Sequence, residues 1–379
     1  MARPAGPRVL SPSFHTYGIL IDCFNRVRCP GLALAFFGRL LRTGLGVNAI
    51  ILSYLLTGLC EAKRTDDGLD MVLYRMPELG FVPNVVSYNI LTKSFCNNRE
   101  SRRALELLRR MAEKGSGCSP DVVSYNTVIH GFFKEGEIAK GCDLLNEMIE
   151  QGIPPDLVVY NTTIVALCKA RAMDKTEVVL QQMVRKGVRP NNWSYNSLIY
   201  AYSSRGQWKE AGKIKEARDV FDSMAMKGQE HDIISYRIML DGYATEGCFV
   251  EMTDLFNLML GDGIAPDCRI FNVLIKGYAK CGMLDRAMIV FKEMRQQGLK
   301  PDVVTYSTVI NAFCRMGTLD EAMEIFNQMI DQGVAPSIST YQCLIQGFCT
   351  HGGLLKAKEL VFEMMSKGWE NSFCKGKIQ

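Results

Sequence analysis

One interval governs this sequence: the same aromatic position returns about every 35 residues. It is marked by Tyr88, Tyr125, Tyr160, Tyr195, Tyr236, Phe271, Tyr306 and Tyr341, at spacings of 37, 35, 35, 41, 35, 35 and 35. Tyr17, and Leu52 in place of an aromatic, extend the series upstream. Val-Val-Ser-Tyr-Asn occurs at both 85–89 and 122–126, with close variants at 157–161 and 303–307. Other marks keep step. A methionine recurs at Met111, Met148, Met183, Met224, Met259, Met294, Met329 and Met364. A glycine then follows (Gly152, Gly187, Gly263, Gly298, Gly333), and a proline precedes the next period (Pro83, Pro120, Pro155, Pro190, Pro266, Pro301, Pro336). Several independent marks in one register define an array of stacked supersecondary units.

Residues 268–302 show what one period encodes. Phe271, Leu274, Ile275 and Tyr278 lie at i, i+3, i+4 and i+7, one apolar face of a helix. Cys281-Gly282 breaks it, and Leu284, Ala287, Met288, Phe291 and Met294 write a second helix. Gly298 sits where a left-handed C-terminal cap belongs, and Pro301 prevents continuation. Helices this short are marginal alone. Each pair must therefore bury its faces against its neighbours, and the array is expected to be all-α, a superhelical solenoid of about ten helix–turn–helix repeats. The boundaries are 14–48, 49–84, 85–121, 122–156, 157–191, 192–232, 233–267, 268–302, 303–337 and 338–372, between tails at 1–13 and 373–379.

Composition excludes several alternatives. With 47% hydrophobic and 22% charged residues the chain can build a core, which argues against wholesale disorder. A net charge of +4 is compatible with a polyanionic partner but does not demand one. No apolar run is long enough for a membrane-spanning helix. The 14 cysteines include no C-x-x-C pair. Five of them (Cys60, Cys96, Cys168, Cys314, Cys349) share one repeat position with Ser203, Ala244 and Ala279. A position that takes Cys, Ala or Ser calls for a small, mostly buried side chain, supplied by a reduced thiol in a reducing compartment. Neither His231, where proline usually stands, nor His351 in an inter-helix turn has partners for zinc, so no metal or cofactor is expected. Asp320 and Glu321 suit a helix N-terminus, and no catalytic pair stands among such carboxylates.

Two repeats are long. The turn around 113–120 carries two extra residues. In the 192–232 repeat, Gly206-Gln-Trp-Lys-Glu-Ala211 is followed by Gly212-Lys-Ile-Lys-Glu-Ala217, six residues copied twice, and one copy is expected to loop out.

The pattern Val-Val-Thr-Tyr-x-Thr-Val-Ile-x-x-Phe-Cys-x-x-Gly-x-Leu-Asp-Glu-Ala-Met-x-x-Phe-x-x-Met, ending in Gly-Val-x-Pro over 303–336, closely resembles the pentatricopeptide repeat. Nothing matches the tetratricopeptide Trp-x-x-Leu-Gly-x-x-Tyr start. The uniform length resembles the P class, and within it the restorer-of-fertility-like proteins of plants. His-x-Glu with Cys-x-x-Cys, the marks of a deaminase domain, are absent from the sequence.

The resemblance implies a right-handed superhelix that binds single-stranded RNA, one base per repeat, with auxiliary processing proteins alongside. It implies that the residue two before the aromatic wedges between bases: Ile50, Val86, Val123, Val158, Trp193, Ile234, Arg269 and Val304. It further implies that each base is read by the residue after the aromatic together with the last residue of the repeat. Ser53 with Asn84 then favours adenine. Asn89 with Asp121, Asn126 with Asp156, Asn196 with Asp232, and Asn272 with Asp302 favour uracil, and Asn161 with Asn191 a pyrimidine. Gly18 with Asn48, Ser307 with Ser337, and Gln342 with Ser372 name no base. Nor does Arg237 with Asp267, which is expected to form an internal ion pair instead. The implied target is N-A-U-U-Y-U-N-U-N-N.

Alternatives remain at this level. Asn and Asp before a helix are ordinary N-caps. A protein-binding scaffold is the rival from another class, and a degenerate array with weak RNA binding is a third reading; no enzyme activity is expected. The first 21 residues lack acidic side chains and contain Arg3, Arg8, Ser11 and Ser13, features of an organellar targeting segment. With the resemblance they imply a mitochondrial location first, a plastid second, and a role in processing, stability or translation of a transcript.

Overall fold

The computed structural model describes residues 13–45, 47–113, 118–203 and 213–366, and divides into two compact halves, Met1–Pro190 and Asn191–Gln379. Among the described residues there are helices and turns but no strand. The first half holds five helix pairs, whose first helices are Phe14–Arg26, Ala49–Glu61, Val85–Asn97, Val122–Glu135 and Leu157–Lys169. The second half holds five more, led by Asn192–Ser203, Ile233–Glu246, Cys268–Lys280, Val303–Met316 and Ile338–Thr350. Within each half, every first helix packs on its own second helix and on the first helix of the next pair.

The recurring marks have distinct physical jobs. The eight aromatics from Tyr88 to Tyr341 are at most 5% exposed, and the eight methionines from Met111 to Met364 at most 1%. In the second half a second-helix phenylalanine meets the next repeat's aromatic edge to face, as in Phe291–Tyr306 at 5.6 Å and Phe326–Tyr341 at 5.4 Å. The methionine carbonyl also closes the helix end by accepting from the residue after the glycine, Leu299 N to Met294 O at 3.1 Å and Val334 N to Met329 O at 3.0 Å. That closure requires the left-handed backbone of Gly298 (φ 78°) and Gly333 (φ 71°).

Consecutive first helices touch at one small-residue position. A Cβ placed on Gly131 would lie 2.5 Å from Cys96 Sγ, on Gly277 2.7 Å from Ala244 Cβ, and on Gly347 2.7 Å from Cys314 Cβ. Cys96, Cys168 and Cys314 are buried there as free thiols. Cys349 corrects the expectation of burial: it is exposed, because no further first helix follows it among the described residues. Another departure is the second helix at 65–78, which widens into a π-turn over Met71–Arg75 just before Pro77, a residue with no N–H for the regular ladder. In the duplicated block, the second copy starts the helix Lys213–Met226, and the first copy, with the looping expectation, lies outside the described residues. Ser372 and both tails beyond 13 and 366 lie outside them too.

Candidate nucleic-acid interface

The positions singled out for base contact gather at the N-terminal ends of the first helices. Each closing residue caps the next helix. Asn48, Asn84, Asp121, Asp156, Asn191, Asp232, Asp267, Asp302 and Ser337 all accept a hydrogen bond from the backbone N–H three residues on. The capping reading is thus correct for every one of them, and each cap turns its side chain to the same edge of its repeat. Two residues further along, Ile50, Val86, Val123, Val158, Trp193, Ile234 and Val304 are 44–64% exposed, large apolar side chains in one register of successive repeats. Arg269, in the same register, is also exposed.

Three of the pairs are joined directly. Asn89 Nδ2 donates to Asp121 Oδ1 at 3.4 Å, Asn196 Nδ2 to Asp232 Oδ1 at 3.3 Å, and Asn272 Nδ2 to Asp302 Oδ1 at 3.4 Å. Ser307 and Ser337 meet through Thr340, whose Oγ1 lies 2.8 Å from one hydroxyl and 3.0 Å from the other. Ser53 with Asn84, and Asn126 with Asp156, have no such bond. Ser53 donates back to Ala49 O, and Asn126 Oδ1 is buried without a hydrogen-bond partner. Asn161 and Asn191 belong to different halves and are described separately, Asn191 as the cap of its helix.

The expected Arg237–Asp267 ion pair does not form. Asp267 spends its Oδ1 on the N–H groups of Arg269 and Ile270. Arg237 instead lines a groove of about 480 Å³ with Tyr200, Ser203, Ile238, Asp241, Thr245 and Val273. His231 stacks on Phe221 at 3.8 Å, with Nε2 2.8 Å from the Phe221 carbonyl, so it fills the proline's place as packing.

Three of the capping carboxylates are held ionised. Burial pushes the pKa of Asp121, Asp232 and Asp302 up, but N–H and hydroxyl donors from Ser124, Ser235 and Thr305, and the paired asparagine, outweigh it and leave each below the usual value. The third residue of the first helix is the member of this cluster that the sequence reading passed over. Its signal was the Ser or Thr in Val-Val-Ser-Tyr and Val-Val-Thr-Tyr, which alternates with Val159 in the same register. Among the described residues no group of three or more His, Cys, Asp or Glu side chains could hold a metal ion. No helix among them is long and apolar enough to cross a membrane.

Comparison with known proteins gives this architecture its class. The chain belongs to the pentatricopeptide repeat family. The PPR repeat family model matches 120–158, 155–204, 194–245, 266–315 and 302–350, the pentatricopeptide repeat domain 71–135, and the PPR repeat 15–45, 234–264 and 339–369. Protein Rf1, mitochondrial, of Oryza sativa subsp. indica is 46% identical over 119 residues, 31% of this chain and 15% of Rf1. Among solved structures, PPR10 in complex with an 18-nt psaJ RNA element is 26% identical with a TM-score of 0.51, over 94% of this chain and 56% of that one. PPR10 from maize gives 24% and 0.47, over 94% and 59%. The chain thus spans less than two thirds of these proteins.

Proposed function

We propose that this protein binds single-stranded RNA in a sequence-specific way, each repeat addressing one base, with N-A-U-U-Y-U-N-U-N-N as target. The observation that carries this is the recurring edge: an exposed side chain, aliphatic in most repeats and Trp193 or Arg269 in two, and in three repeats an asparagine beside an ionised aspartate. An apolar wedge suits a base face, and an amide with a carboxylate offers donors and acceptors to a pairing edge. The fold shared with PPR10 in its RNA complex supports the reading. The stretch of 46% identity to Rf1 supports a plant mitochondrial role in processing, stability or translation of a transcript, in the manner of restorer-like proteins. Cys96, Cys168, Cys314, His231 and the capping aspartates serve packing and helix caps, which fits a binding role.

The test is equilibrium binding to the target RNA and to a version with guanine at bases 3, 4, 6 and 8. One mismatch costs about 1–3 kcal/mol, so four are expected to weaken binding by about a thousandfold or more. Equal affinity for the two RNAs refutes the assignment. Sequencing RNA that co-purifies with the protein from isolated mitochondria tests the cellular half; no enriched transcript there removes it.

A further inference from the structure

A side-chain amide is nearly symmetrical in shape but not in chemistry. Turned by 180°, it offers a carbonyl where it had offered N–H groups. Which end an asparagine presents depends on what holds the other. Asn89 Oδ1 accepts a 2.7 Å hydrogen bond from Ser124 Oγ, and Asn272 Oδ1 a 2.6 Å bond from Thr305 Oγ1; each hydroxyl shares its one proton with the capping aspartate at 2.8 Å and 2.9 Å, the amide oxygen being the nearer acceptor. Ser124 and Thr305 are the third residues of the following first helices and are fully buried. Each is anchored again, because its backbone N–H donates to the capping aspartate at 2.8 Å and 2.9 Å. With the carbonyl tied inward, Nδ2 remains beside the aspartate at 3.4 Å and keeps one hydrogen for a ligand. The same triangle forms independently in each half of the chain.

Asn126 lacks this hold. The third residue of the next helix is Val159, fully buried and without a hydroxyl, and Asn126 Oδ1 has no partner. Asn196 is intermediate. Ser235 is present, but its hydroxyl donates only to Asp232, at 2.7 Å to Oδ1 and 3.0 Å to the carbonyl, and makes no bond to Asn196 Oδ1, which is also without a partner.

We propose that the hydroxyl at the third position of a repeat is a positioning residue for the base read by the repeat before it. It holds the asparagine N–H outward and so selects uracil, whose O4 accepts a hydrogen bond, over cytosine, whose N4 amino group donates. Where valine replaces it, at Val159, the amide turns either way and the repeat takes both pyrimidines. The inference rests on the RNA-binding reading above and adds a residue to its specificity.

The test measures binding of the full chain to synthetic target RNAs with U or C at one base, numbered along the target: base 3 for Asn89, base 4 for Asn126, base 8 for Asn272. The wild type is expected to favour U over C by about fivefold at bases 3 and 8, the worth of one neutral hydrogen bond, and by no more than about twofold at base 4. Val159→Thr, nearly unchanged in size, raises the ratio at base 4 alone. Ser124→Ala removes it at base 3 and leaves base 8 untouched, while Ser124→Thr preserves it. A merely structural role would lower thermal stability and weaken every RNA alike without moving these ratios. A base-4 ratio unmoved by Val159→Thr, or a base-3 ratio that survives Ser124→Ala, overturns the proposal. Equal binding of the wild type to the uracil-rich RNA and its guanine version overturns instead the reading beneath it.

Discussion

Gly277 is the sharpest point at which the stacking can be perturbed. It lies where the Cys268–Lys280 helix crosses Ile233–Glu246, and an added Cβ would stand 2.7 Å from Ala244 Cβ, 3.3 Å from Ala244 Cα and 3.4 Å from Met252 Sδ. Two of these neighbours are backbone or one bond from it, so relief requires the helices to separate. Overpacking of this kind costs about 1–3 kcal/mol, and alanine's better helix propensity returns about 1 kcal/mol. Gly277→Ala is therefore expected to lose up to about 2 kcal/mol net, and Gly277→Val, with two further methyl groups and lower propensity, distinctly more. Gly261 supplies the control: it too is helical but has nothing within 4 Å of a built Cβ. Gly261→Ala is expected to be neutral or to gain up to about 1 kcal/mol. Urea unfolding followed by circular dichroism measures both. A Gly277→Val variant as stable as wild type refutes the argument that close helix approach sets the repeat spacing. The consequence reaches function, because the same spacing separates Arg237 from Asn272 and hence one candidate base from the next.

Further outcomes follow from the caps and the thiols. Asp302→Ala removes a capping box and is expected to cost about 1 kcal/mol, whereas Asp302→Asn keeps most of the cap; paired urea midpoints compare them. Because Asp121, Asp232 and Asp302 have folded pKa values below the usual, their ionisation adds stability that is fully present above the unfolded carboxylate range. It is lost as pH falls through the lowered values, so the urea midpoint should fall with acid below about pH 4, and less so in the triple Asp→Asn variant. Burial raises Cys96 and Cys168 to about 11 and Cys314 to about 12, while Cys281 and Cys349 are exposed. Maleimide labelling of the native protein near neutral pH should modify Cys281 and Cys349 well before those three, and equal rates at Cys314 and Cys281 contradict the burial.

The sequence made the repeat legible because its marks answer to local physics. The aromatic and methionine stripes had to be core, and Gly298 with Pro301 had to end a helix, whatever the tertiary details. Cys349 shows where that logic stops: its register matches buried Cys314, but burial there depends on a following helix, which periodicity alone does not supply. The Arg237–Asp267 pairing failed for a related reason. Register places two residues on one edge, yet the carboxylate was already taken by backbone N–H groups within its own turn. The roles of Ser124 and Thr305 were hidden by their ordinary appearance, since a buried hydroxyl in an apolar helix face reads as a packing variant of valine. Only the hydrogen bonds reaching back across the repeat boundary distinguish them.

The central claim is that one asparagine–aspartate pair addresses one base. The most direct test converts the Asn272 and Asp302 pair to the Ser53 and Asn84 combination by Asn272→Ser with Asp302→Asn, and measures affinity for RNAs differing only at base 8. The expected result is a switch from uracil to adenine at that base, with preferences at bases 3, 4 and 6 unchanged. A base-8 preference that stays with uracil, or a uniform loss across all RNAs, would contradict it.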